Sequence, residues 1–290
     1  MPAKRARPPE FPKSVEDVFF SDAREKLVGA RPNAQQAVAK TASAARPAQA
    51  ISAVEDQPVG SWSKLIAAED VEDEIKAQQL NLAAAVKNAT KFKAGEYQQA
   101  RDQLSVLAAM LAITAEFDGR IRWKDNAAAL RDLIGRASMN CKVASDASFN
   151  EARMRADDLQ LLIRGGSLQL PEPSDSIQWS RVADRSALMR RLEVAEQQGI
   201  RPLVGTSRQF EESAGRLLHE AQVVAALSEI IARDDYEFSD DETFVDYAQQ
   251  MKRQAVSLRN ATQSGNYQQA REAAAEIGQS CTRCHEGYRS

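Results

Sequence analysis

Asn266–Arg289 reads NYQQAREAAAEIGQSCTRCHEGYR. Its apolar and small side chains recur at Tyr267, Ala270, Ala274, Ile277, Cys281, Cys284 and Tyr288, in steps of three and four residues. Such spacing draws one continuous face along an α-helix. Both cysteines lie on that face, and His285 stands beside it, four residues after Cys281. The preceding segment has its own stripe at Phe244, Tyr247, Met251, Ala255 and Leu258. Two such stripes predict a helix pair that can clamp something flat and apolar, with an imidazole nitrogen reaching its centre.

Working outward, the same helical signal runs back to Trp62. Strand-like alternation is scarce, and no Asn-Gly or Asp-Gly hairpin separates apolar runs. Breaks fall near Lys93–Gly95, Phe117–Lys124, Ser145–Ser148, Arg164–Trp179, Gly199–Thr206, Asp234–Asp241 and Ser264–Asn266. They leave segments of bundle-helix length. KNATKFKAGEYQQAR (Lys87–Arg101) recurs as RNATQSGNYQQAR (Arg259–Arg271), and DNAAALRDL from Asp125 is echoed by DRSALMRRL from Asp184. The fold class read from this is all-α, with two related four-helix-bundle modules behind a disordered N-terminal region. Residues 1–60 form that region, with one short amphipathic helix in SVEDVFFSDAREKL. Residues 61–165 form the first module, 166–183 a Gly/Pro/Ser-rich linker, and 184–290 the second module. Trp62, Trp123 and Trp179 stand at segment edges as packing anchors.

Composition removes several classes of function. The chain has 290 residues, with 38 Lys and Arg against 41 Asp and Glu, so no basic field favours nucleic acid. No apolar run reaches membrane-spanning length. Cysteines are only Cys141, Cys281 and Cys284, and histidines only His219 and His285. A disulfide framework or a histidine-rich metal centre is excluded by counting. No nucleophile–base pair, phosphate loop or spaced carboxylate pair is visible, so the chain reads as a protein other than an enzyme.

Cys-x-x-Cys-His is left with few uses. Two thiols for thioether bonds and an adjacent imidazole for iron fit c-type haem attachment. A structural zinc site wants four ligands, and Cys141 and His219 are not a paired second half. A thioredoxin-type dithiol wants a helix N-terminus near a βαβ unit, whereas this motif closes a helix in an all-α chain. Gly278 and Ser280 are small enough for a macrocycle to lie close. Haem is the favoured reading, with metal or redox use of the thiols as the competitor.

NATQSGNYQQAREAAAEIGQSCTRCHEGYR resembles the C-terminal helix pair of the cytochrome c′ family of four-helix-bundle cytochromes. The likeness is close over the last helix pair and extends by helix count to about Arg208. It implies one covalent haem c, with thioethers from Cys281 and Cys284 and His285 as proximal iron ligand. Arg289 would lie near a haem propionate, and Tyr288 fills the aromatic position beside it. Setting Tyr97 on Tyr267 puts Leu111, Thr114 and Ala115 where Cys281, Cys284 and His285 stand, so the first module is a haemless relative. Its haem-like helix pair comes first in its module, whereas in the second module that pair comes last.

The sixth iron position separates electron carriers from gas binders. By the resemblance, the distal face comes from the first helix of the bundle, read here as RQFEESAGRLLHEAQVVAALSEII. His219 is its candidate ligand; the competing reading is a boundary histidine bonded locally or to water. Leu217 or Leu218 shielding an open position is what the family implies, and Met251 reads as core packing. The leading function is one-electron transfer with a redox partner protein. The alternatives are five-coordinate haem that binds NO or CO, and a haem-bearing interaction protein that docks a partner without turnover. The acidic run Arg233–Glu242 reads as a solvated loop that could steer a basic partner. A homodimer is compatible with the resemblance. Covalent haem attachment occurs outside the cytoplasm, so the chain is expected to be periplasmic or otherwise exported, although no signal peptide follows the charged start MPAKRARPPE.

Overall fold

A computed structural model describes residues 61–288, and among these every regular element is helical. The readings of residues 1–60 and of Arg289 lie outside the described residues. The principal helices are α1 (Ala68–Ala85), α2 (Tyr97–Glu116), α3 (Lys124–Asn140), α4 (Asp146–Ile163), α5 (Arg185–Val194), α6 (Ala214–Ile231), α7 (Glu242–Gln263) and α8 (Tyr267–Tyr288). α5 runs on into a π-turn at Ala195–Ile200, and a similar turn at Phe92–Glu96 leads into α2. At residues 93–95, where the sequence predicts a break, the helical path is kinked at Gly95, which adopts φ 150°.

Side-chain caps mark the helix starts. Ser145 and Ser148 cap α4 reciprocally, the Asp184 carboxylate accepts from the Ala187 amide at the start of α5, and Asp241 does the same for α7 through Thr243. The α7–α8 turn is the tightest. Gly265 adopts φ 68°, its amide reaches the Thr262 carbonyl, and the Asn266 amide reaches Ala261 at 2.8 Å. This is a Schellman ending, which favours glycine because a side chain in the left-handed region is strained. The Asn266 side chain then accepts from the Gln269 amide at 3.1 Å, so one residue ends α7 and starts α8.

α1 packs on α2, α2 on α3, α3 on α4, and α4 closes back on α1. α5 packs on α6, α6 on α7 and α7 on α8, while α8 returns to the π-turn that extends α5. The two four-helix sets share one continuous apolar core, with α2 against α5 and α1 against α6. At the seam, Trp62 and Trp179 are buried with ring centroids 5.6 Å apart, and the Arg233 guanidinium lies over both. Trp123 is half-buried beside Arg122. Cys141 is fully buried, and burial pushes its thiol up to about 12, so it is an inert core group.

Candidate functional site

α7, α8, α5 with its π-turn and the end of α6 line a half-open cavity of about 600 Å³. That size lies within the range of small-molecule and cofactor sites, about 300–1,000 Å³. From α8 it is lined by Gly278, Ser280, Cys281, Cys284, His285 and Tyr288, and from α7 by Phe244, Tyr247, Ala248 and Met251. The two stripes read from sequence thus face one space, because the Gly265 turn folds α8 directly back on α7.

Cys281 and Cys284 are free and half-buried, and the Cys281 Sγ lies 3.9 Å from the Met251 Sδ. Burial, with Glu196 and Cys284 nearby, pushes the Cys281 thiol up to about 11, and burial also raises Cys284. Such thiols are protonated near neutrality and are poor nucleophiles for disulfide exchange. His285 is exposed in the last turn of α8, at the cavity wall. Among the described residues, no cluster of three or more His, Cys, Asp or Glu could hold a metal ion by itself. Two thiols and one imidazole on an apolar, roomy wall fit haem by their donor chemistry.

Tyr288 completes an aromatic corner with Phe238, Phe244 and Tyr247, and its hydroxyl donates to Asp241 at 2.7 Å. Phe238 is held at φ 69°, a costly conformation for a bulky residue. Its ring packs on Phe244 and Tyr288, and the Arg185 guanidinium covers it at 4.9 Å. The acidic loop therefore has an aromatic residue pinned against two of the residues that line the cavity.

The far side of the cavity differs from the sequence reading. Its wall is α5, through Arg185, Met189, Arg190, Leu192, Glu193 and Glu196; α6 contributes only Ile231. α5 stands on the wall where the sequence reading put α6. His219, the candidate sixth ligand read from sequence, stands on α6 and faces α1. Its Nδ1 lies 2.9 Å from Asp70 Oδ1 and its Nε2 3.1 Å from Glu74 Oε2, both on α1, and it does not line the cavity. Leu217 and Leu218 are also absent from the lining, and Leu217 is fully buried. The residue that sequence reasoning missed is Met189, a half-buried thioether on the α5 wall. Its spacing to Leu192 and Glu196 was the available signal.

The chain thus combines an all-α fold with Cys-x-x-Cys-His on its last helix, beside a half-open cavity. Residues 218–289 match the family model described as Cytochrome C′, which supports a haem-binding c-type cytochrome in the C-terminal bundle. The match covers α7, α8 and most of α6, and it stops short of α5. Comparison with curated proteins and with solved structures gave no match.

Proposed function

We propose that the second bundle holds one haem, bound covalently by Cys281 and Cys284 with His285 as proximal ligand, and that the chain carries single electrons. The observation that carries this reading is that both thiols, the imidazole and the Met189 thioether all line one cavity. When bound, the haem would supply a ferric/ferrous couple. The chain's own residues do the rest. Cys281 and Cys284 tether the group, while Phe244, Leu192 and Met251 exclude water. Arg185, Arg190 and Arg201 also reach the lining, each paired with a carboxylate of the chain: Glu237, Asp102 and Glu196. Met189 is the candidate sixth ligand, and a methionine there raises the reduction potential.

A second reading, five-coordinate haem that binds NO or CO, is favoured by Leu192 and Ile231 in the lining, since neither can ligate iron. The Cytochrome C′ family includes carriers and gas binders and is typically periplasmic, which supports an exported location. Among the described residues no helix is long and apolar enough to cross a membrane. A redox partner protein is implied by electron transfer. The recurring YQQAR, which opens both α2 and α8, supports relatedness of the haemless first bundle to the second.

The test is an absorption spectrum of protein matured with haem-attachment machinery, oxidised and reduced, with and without CO, plus a haemochrome in alkaline pyridine. A thioether-type haemochrome with a low-spin, CO-insensitive spectrum supports the carrier. A high-spin, CO-responsive spectrum supports the gas binder. No covalent haem removes both readings.

A further inference from the structure

The wall of the cavity opposite the cysteine motif is fastened to the other bundle. The Asp184 carboxylate, which caps α5, pairs with Arg101 of α2 at 2.5 Å. One and a half turns on, Arg190 grips Asp102 of α2 with both prongs, its Nε donating to Oδ2 at 2.6 Å. The next residue, Arg191, grips Glu74 of α1 in the same way, at 2.6 and 2.9 Å. Arg190 itself lines the cavity, and so do Met189 and Glu193 beside these anchors. A two-pronged arginine–carboxylate pair fixes direction as well as distance, so these contacts set both the axial position and the rotation of α5.

From this geometry we propose that the haemless bundle is the backing of the cavity wall, and that Asp102 and Glu74 are positioning residues for the site. They act through Arg190 and Arg191 to hold α5, and with it Met189 and Glu196, against α8. The proposal rests on the haem reading for its consequence in the holoprotein, but the fastening belongs to the chain itself. Glu196 is buried, lines the cavity with Cys281, and shares its carboxylate with Arg201 at 2.6 Å. Loosening α5 therefore uncovers Cys281 whether or not haem is present. Coupling of this kind is reciprocal: filling the cavity must stabilise the seam by as much as the seam favours filling.

Asp102→Asn is the informative variant. Asp102 and Arg190 are partly exposed, with side chains 25% and 49% accessible, and such pairs contribute little to global stability. Asp102→Glu keeps the charge as the rescue. Asp146→Asn, which removes a comparable exposed pair with Lys93 far from α5, is the control. In full-length chain made without haem maturation, alkylation of Cys281 is followed by peptide mass spectrometry. It is expected to run about fivefold faster in Asp102→Asn, the change that about 1 kcal/mol of wall opening gives. Asp102→Glu and Asp146→Asn should stay at the parental rate. In matured protein the same variant should shift the midpoint potential or the CO association rate, with Asp146→Asn silent in both. Parental alkylation together with a parental potential and CO rate in Asp102→Asn would overturn the proposal. Absence of haem from the parental protein would remove the proposed function and leave the alkylation arm to decide the fastening alone.

Discussion

Arg191 and Glu74 form a two-pronged ion pair inside the protein, joining α5 of the second bundle to α1 of the first. Their side chains are 9% and 1% accessible. Burial alone would raise the Glu74 pKa, but the hydrogen bonds and charge of Arg191, with help from His219 and Gln78, hold the carboxyl far below the usual range. Arg191 also reaches Glu220 at 2.8 Å, so each charge in the seam has a partner.

Glu74→Ala is expected to destabilise the protein by about 3–5 kcal/mol, because it leaves a buried guanidinium only partly compensated. Urea unfolding followed by far-ultraviolet dichroism measures this. Glu69→Ala, on the same helix with no partner role in the seam, should lie within about 0.5 kcal/mol of the parent. A Glu74→Ala loss as small as that would show that Glu220 alone satisfies Arg191.

Stability should fall with rising pH across the seam. Burial pulls the His219 pKa down, but hydrogen bonds to Asp70 and Glu74 and the charge of Glu220 outweigh it and raise the pKa to about 9 from 6.5. A pKa raised on folding means that the native state holds its proton more tightly. The stabilisation is fully present below about pH 6.5 and is lost as pH rises through about 9, by at most about 3 kcal/mol. Urea midpoints measured from pH 6 to pH 10 should show this decline, and His219→Gln should flatten it. A decline of equal size in His219→Gln would assign it to another group.

How much of this could be read in advance differs from helix to helix. The α8 stripe is long and regular, and the cysteine motif sits on it, so the helix pair and its facing cavity follow from periodicity alone. α5 is short, carries Arg185, Arg190, Arg191 and Glu193 among few apolar residues, and ends in a π-turn at Ala195–Ile200 that breaks the 3.6 spacing. Its stripe is too brief to mark a cavity wall, whereas α6 carries a longer apolar run. The partners of His219 stand 145 and 149 residues away in the chain. Periodicity within one helix cannot reveal them. What it showed was only that the histidine is not on a purely polar face, and the seam between bundles accounts for that.

Two glycines of the second bundle should respond to alanine with opposite signs. Gly265 sits at φ 68° in the α7–α8 turn, where a Cβ meets nothing but the backbone conformation itself is strained. Gly265→Ala is expected to cost about 1–2 kcal/mol. Gly215, near the start of α6, also has open space around it but no such φ. Gly215→Ala is expected to stabilise by about 0.5–1 kcal/mol, since alanine has the better helix propensity. Thermal melts of the two variants check the pair, and a shift in the same direction for both would contradict the turn geometry.

Met189 and His219 make a clean opposition in protein matured with haem-attachment machinery. Met189 lines the cavity with Cys281, Cys284 and His285, whereas both ring nitrogens of His219 are engaged by α1 carboxylates. If the carrier reading holds, Met189→Ala should turn a low-spin reduced spectrum into a high-spin one that responds to CO. It should also lower the midpoint potential, since a methionine ligand raises it. His219→Ala should leave spin state and CO response as in the parent while lowering the urea midpoint, because it removes a bonded ring from the seam. The reverse pattern, in which His219→Ala opens the iron to CO and Met189→Ala does not, would require α6 to turn its histidine away from Asp70 and Glu74 into the cavity. That rotation would break the contacts that hold the two bundles together, so the same variant's unfolding curve would reveal it by showing little loss of stability.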